Sequence, residues 1–287
     1  MVTGLPPSAL STNGNVPESG QSPTLDTHKV RFASKPLHLR ANEPATYAKD
    51  PRRASVVTSI CMRDDPGSVL EILREISADS VNPDPSAQIE TDIIIDEQGH
   101  TALHLAASLA RHQIVEMLVA HGADVHRGNY LGETPLIRAC LSTHNADNQS
   151  FATLLAYLHP SIHTLDTSRK SVIHHVVSLA GVKNRAPTAR YYLDQILLWI
   201  AQQQAGDFQS VVDLQDEHGD TALNIAARVG NRGLVRTLLD VGANRTLPNK
   251  LGLRPGDFGV ETEVRLAPTA WLVSYQINLG IERLFSR

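Results

Sequence analysis

Thirteen histidines are the first residues of this 287-residue chain that could do chemistry. Imidazole can act near neutral pH as a general base, a proton shuttle or a metal ligand. The spacing supports none of these roles. His174 and His175 are adjacent and would leave a helix on different sides, a poor geometry for holding one ion. There is no paired Cys/His spacing, no Gly-rich phosphate loop and no Gly-x-Ser-x-Gly turn. The expectation is a protein that is not an enzyme and holds no metal, cofactor or small-molecule substrate. Cys61 and Cys140 make no disulfide framework, which suits a reducing compartment. Two hydroxyls carry more signal. Arg52-Arg53-Ala54-Ser55 resembles the substrate pattern of arginine-directed kinases, and Ser22-Pro23 is a minimal proline-directed site. Ser55 and Ser22 are therefore candidate phosphorylation sites. The charges from Lys49 to Arg53 read as solvation rather than as an import signal.

What places the histidines is repetition. Asp96-Glu-Gln-Gly99-His-Thr101-Ala-Leu103-His104 returns 120 residues later as Asp216-Glu-His-Gly219-Asp-Thr221-Ala-Leu223-Asn224. Both continue through a pair of alanines into an apolar helix pattern and close on Gly122-Ala123 and Gly242-Ala243. Asp and Gly suit a tight turn, with Gly supplying the left-handed conformation. Thr101 and Thr221 stand where a helix N-cap belongs, and His104 lies within reach of the same turn. This is the ankyrin pattern, and a repeat of this period fixes architecture ahead of any local motif.

In that register, Asn129 opens a second repeat with Gly132 and Thr134-Pro135. Asp166 opens a third, with Ser171 as cap, His174 in the histidine position and Arg169 in place of the turn glycine. Asn249 opens a fifth. Starts at 96, 129, 166, 216 and 249 are separated by 33, 37, 50 and 33 residues, so the middle repeats carry insertions. Polar or Gly/Pro-bearing stretches at 143–149, 181–189 and 202–210 are expected to be the loops. Ala110 stands where the fourth repeat has Gly230, so that corner is expected to be strained or reshaped.

The fold expected is an all-α ankyrin solenoid of about five repeats. Residues 1–66 are expected to be a disordered tail, 67–95 a capping helix and linker, 96–260 the repeat domain, and 261–287 a C-terminal helical cap or truncated tail. Only 5% of the chain is aromatic, which fits a solenoid core of Leu, Val, Ile and Ala. Tyr130 falls at the finger between the first two repeats, a candidate partner contact. Trp199 and Trp271 are expected to pack. The net charge of −4 argues against binding DNA through phosphate neutralisation. No basic-then-apolar leader pattern occurs, and no apolar stretch approaches about 18 residues, so an intracellular chain without a membrane partner is expected.

Several runs are more specific than the general repeat. Leu223-Asn-Ile-Ala-Ala-Arg228-Val-Gly-Asn231, Asn249-Lys-Leu-Gly-Leu-Arg254-Pro-Gly-Asp-Phe-Gly259 and Leu154-Leu-Ala-Tyr157-Leu-His-Pro160 are three of them. Together with Ile173-His-His-Val176, Tyr191-Tyr-Leu-Asp194 and Trp199-Ile200, they resemble the ankyrin region of fungal MBF/SBF transcription-factor subunits. The resemblance covers roughly residues 67 to 260. It implies control of genes at the G1/S transition, a nuclear or shuttling location, and protein partners among transcription-factor subunits and their regulators. DNA-binding members of that family carry an N-terminal KilA-N/APSES domain. Residues 1–66 are too short and polar for one, so the regulatory subunit without such a domain is the nearer likeness, with no direct specific nucleic-acid binding. Two other readings are a general ankyrin adaptor in cytoplasmic signalling and a fragment of a DNA-binding APSES-type factor.

Overall fold

The computed structural model describes residues 30–35, 51–78, 89–203 and 207–260. A short strand, β1 (Arg31–Phe32), precedes the helices α1 (Pro51–Met62) and α2 (Pro66–Ala78). The first repeat supplies α3 (Ala102–Ser108) and α4 (His112–Ala120). The second supplies α5 (Pro135–Leu141), the short α6 (His144–Asp147), α7 (Phe151–Leu158) and a 3-10 turn, His159–His163, leading to β2 (Thr164–Leu165). The third has α8 (Val172–Leu179), the long α9 (Ala186–Gln203) and α10 (Gln209–Val212). The fourth has α11 (Ala222–Val229) and α12 (Arg232–Asp240). The fifth is a finger followed by a 3-10 turn, Pro255–Phe258, closed by Gly259.

The inner helices stack in series: α1 on α3, α3 on α5, α5 on α8, α8 on α11, and α11 on the Pro255–Phe258 turn. Outer helices form a second layer in which α2 meets α4, α4 meets α7, and α7 meets α9. Close approach of the inner layer needs small side chains where neighbours cross. Ala106-Ala107, Ala139-Cys140 and Ala226-Ala227 supply them, all fully or almost fully buried. Leu103, Leu136, Ile173 and Leu223 recur one turn earlier with no exposed surface, giving one continuous core.

Some of the sequence expectations needed correction. Two parts of the span 1–66 carry structure. Residues 51–62 form α1, which buries Val56 and Ile60, and β1 pairs in parallel with β2. The cap is accordingly a helix pair rather than one helix. Of the expected loops, 143–149 contains α6, and the 181–189 stretch turns only as far as Arg185 before α9 begins at Ala186. The 202–210 stretch takes in the end of α9 and the start of α10. Much of the added length of the third repeat is therefore helix. Residues 261–287, with Trp271, and Ser22 lie outside the described residues.

Candidate protein-interaction face

Each repeat begins with a finger built around one Asx residue. Asp96 accepts the N–H groups of Gln98 and His100 on Oδ1, at 2.9 and 3.0 Å. Asn129, Asp166, Asp216 and Asn249 each accept two N–H groups in the same way. Gly99, Gly132, Gly219 and Gly252 follow at φ of 77° to 81°. Arg169 takes that place in the third finger at φ 63°, in a region that costs a residue with a Cβ about 1–2 kcal/mol. Backbone bonds then stitch the fingers together: Tyr130 N–H to Gln98 O, Thr167 to Leu131, Glu217 to Ser168, and Lys250 to His218, all between 2.9 and 3.1 Å.

Below the fingers, the histidine positions lock one repeat to the next. Thr101 stands at the N-cap of α3 with extended backbone. His104 Nδ1 accepts from the Thr101 N–H at 3.1 Å and faces its hydroxyl at 2.9 Å. This leaves Nε2 carrying the proton, which it donates to Glu133 O at 3.0 Å. Ser171 and His174 repeat the arrangement, with Nε2 donating to Asp220 O at 3.1 Å. In the fourth repeat Asn224 takes the role, bonded to Thr221 and donating to Leu253 O at 3.1 Å. The second repeat departs from the pattern. Thr134 caps α5 by accepting from Ile137 N–H at 3.4 Å, but Ile137 in the histidine position cannot reach the third finger.

Burial keeps these rings neutral. It holds His104 down at about 3 and lowers His174 as well. Burial also raises the Cys140 thiol well above its usual range, so it stays protonated. Among the described residues no group of three or more His, Cys, Asp or Glu side chains could hold a metal ion. The imidazoles of His104 and His174 are thus used to join one repeat to the next.

Two aspartates that sequence reasoning did not single out tie the stems of the fingers. Asp92 accepts from Asp124 N–H, and Asp213 from Asn244 N–H at 2.8 Å, each linking a repeat to the chain leaving its outer helix. Burial raises both carboxyls. Because the partner is a main-chain N–H about thirty residues away, no local pattern flags them.

With polar capacity used internally, the finger tips face solvent. Tyr130 is 42% exposed, Leu131 63% and Leu251 82%. Leu131 and Leu251 hold equivalent places, each two residues after the finger's Asn. The Tyr130 ring also covers Gly99, where an added Cβ would sit 3.1 Å from it. Ser55 lies on α1, its hydroxyl bonded back to Pro51 O at 3.1 Å. The flanking arginines reach outward from the helix, Arg52 to Glu75 O and Arg53 to Ile94 O. A kinase that reads an extended Arg-Arg-x-Ser would have to unwind this turn first. Trp199 packs at 4.9 Å from His159.

These fingers and paired helices define an ankyrin-repeat protein. Residues 61–166 match the family of ankyrin repeats in three copies, and residues 218–250 match a single ankyrin repeat. The chain is 34% identical over 293 aligned positions to the Start control protein cdc10 of Schizosaccharomyces pombe, covering 92% of this chain and 38% of that protein. It is 35% identical over 254 positions to transcription factor SWI6 of Pyricularia oryzae, covering 78% of this chain and 27% of the relative. The solved ankyrin-repeat fragment of Saccharomyces cerevisiae SWI6 superposes with a TM-score of 0.67 at 30% identity, over 81% of this chain and 92% of the fragment. The chain belongs to the ankyrin-repeat family represented by SWI6 and cdc10. It spans between about a quarter and two fifths of the length of these full-length relatives.

Proposed function

We propose that this chain is a non-enzymatic scaffold within a regulatory subunit of a fungal G1/S transcription-factor complex, acting in the nucleus by binding protein partners. The observation that carries this reading is the finger row. Its polar groups are satisfied from repeat to repeat, while Tyr130, Leu131 and Leu251 project apolar surface from rigid turns. Exposed aromatic and aliphatic anchors on a pre-ordered surface favour protein contact, because little entropy is lost on binding. The net charge of −4 supports partners other than DNA, since even non-specific affinity needs several Lys or Arg contacts to phosphate.

A pull-down from fungal extract tests the proposal by comparing the chain with a Tyr130→Ala/Leu131→Ser/Leu251→Ser variant. Transcription-factor subunits are expected with the parent and are expected to fall by about tenfold or more with the variant. Equal recovery would remove the finger tips as the recognition surface, and recovery of no such subunit would leave only a general adaptor. An electrophoretic shift on promoter DNA is expected to be negative at physiological salt, and a specific shift would overturn that part of the reading.

A further inference from the structure

Residues 30–35 fill a gap between the second and third fingers. Near the tips the fingers join directly, with the Thr167 N–H and hydroxyl both donating to Leu131 O, at 3.1 and 2.7 Å. At their bases β1 lies between backbone 126–128 and β2. On one side Arg31 pairs with Thr164 and Phe32 with Leu165, and Ala33 N–H donates to Leu165 O at 2.9 Å. On the other side Ser34 N–H donates to His126 O at 2.9 Å, and Ser34 O accepts from Gly128 N–H at 2.8 Å. Arg127 adds a bond to Lys35 O at 2.8 Å. His126 Nδ1 also lies 2.8 Å from Thr164 Oγ1, so the two walls are tied to each other independently of the strand.

The seated strand shows what the slot accepts. A Cβ on Gly128 would lie 2.9 Å from the Ala33 Cβ, so the slot needs glycine at 128 to admit the strand. The preceding Phe32 borders, with Tyr130 and Leu165, an open groove of about 530 Å³. Val30, Arg31, Phe32 and Lys35 are exposed, Phe32 by 56%. The strand is therefore held by its main chain and buries little side-chain surface. Main-chain bonds of this kind give modest net stability in water, and they are available to any extended peptide of suitable shape.

We propose that the slot between 126–128 and Thr164–Leu165 is a β-augmentation site for an extended peptide of a partner protein, filled in cis by residues 30–35. The partner strand repeats the main-chain pairing of residues 31–34 and carries an aromatic residue at the Phe32 position, bordering the groove. Binding requires the chain's own strand to leave, so β1 acts as a built-in competitor. This surface is distinct from the finger tips and stands or falls separately from them.

The test uses the full chain with Ala33→Pro/Ser34→Pro, which removes both N–H donors of the strand. The thermal midpoint should change little, while hydrogen exchange at the Gly128 amide should quicken by about tenfold or more as its acceptor leaves. A fluorescent peptide of residues 30–35 should then bind the variant at least about tenfold more tightly than the parent. Retained Gly128 protection would show that the main chain is not what holds the strand. An opened slot that ignores the peptide, or equal binding to parent and variant, would equally overturn the proposal.

Discussion

Ala110 and Gly230 occupy the same corner of the first and fourth repeats, where the inner helix hands over to the outer one. Their φ angles are 57° and 77°, so the alanine stays in a left-handed conformation rather than reshaping the turn. Ala110→Gly is expected to raise stability by about 0.5–1 kcal/mol, the relief of strain less the entropy of glycine. Gly230→Ala is expected to lower it by about 1 kcal/mol through conformation alone, since an added Cβ there meets nothing within 4 Å. Denaturant midpoints of the two variants should move in opposite directions. The histidine locks add a pH dependence. An unfolded histidine titrates near 6.5, whereas burial holds His104 at about 3 and also depresses His174. Below about pH 6.5 the unfolded chain takes up protons that the folded chain refuses. The contribution of these rings is thus complete above that value; for His104 it falls by about 1.4 kcal/mol per pH unit as the medium acidifies towards its folded pKa, and His174 acts in the same direction. Asn224 does the same joining without titrating, so His104→Asn should flatten the fall in melting temperature between about pH 7 and pH 5. An unchanged slope would mean that His104 is not the group responsible.

At the scale of elements, the cap pair is fastened by an exchange of end groups. Arg111, at the start of α4, donates to Ile60 O and Cys61 O at the end of α1, at 3.0 and 2.7 Å. Asp64, between α1 and α2, accepts from Gln113 and Ile114 N–H at the start of α4, both at 3.1 Å. Each helix end thus receives the charge its dipole favours. Arg111→Ala and Asp64→Ala should each cost about 1–2 kcal/mol, with amide exchange rising first in α1 and α2. The finger register was legible because turn and cap residues act locally: Asp96, Gly99 and Thr101 need only one another. Helix α2 was legible for a similar reason, with Val69, Ile72, Leu73 and Ile76 forming one longer periodic stripe. Helix α1 shows only Val56 and Ile60 to the core, too few to signal without α3 beneath them. The strand at Arg31 was not legible at all, since its partner Thr164 lies more than a hundred residues on. In α9, parts of both stretches expected to be loops, 186–189 and 202–203, are helical, on a helix whose buried face includes Tyr192, Leu193, Ile196, Leu197 and Ile200.

Across the whole molecule, each repeat leans mainly on its neighbours, so stability is close to a sum of unit and interface contributions. The fourth finger's turn shows how one interface propagates. A Cβ on Gly219 would stand 2.9 Å from Lys250 N in the next finger, at φ 77°. Gly219→Val should therefore unfold the fourth repeat together with the fifth and cost more than the roughly 1 kcal/mol of Thr221→Ala, which only removes a cap. Equal melting temperatures for the two variants would sink this assignment. The interfaces are unequal in another respect. Beneath the fingers, His104, His174 and Asn224 each throw a buried bond across a junction, whereas Ile137 makes none; the second and third repeats are tied instead through α9, where the Tyr192 hydroxyl donates to Ser142 O at 2.8 Å and accepts from Ala146 N–H at 3.2 Å. The same junction is the one wedged open for β1. Under tension applied at its ends, the row of buried finger bonds is interrupted there, while α9 still holds the two repeats together. The third finger should open first and the α9 contacts give way afterwards, two steps visible in single-molecule pulling.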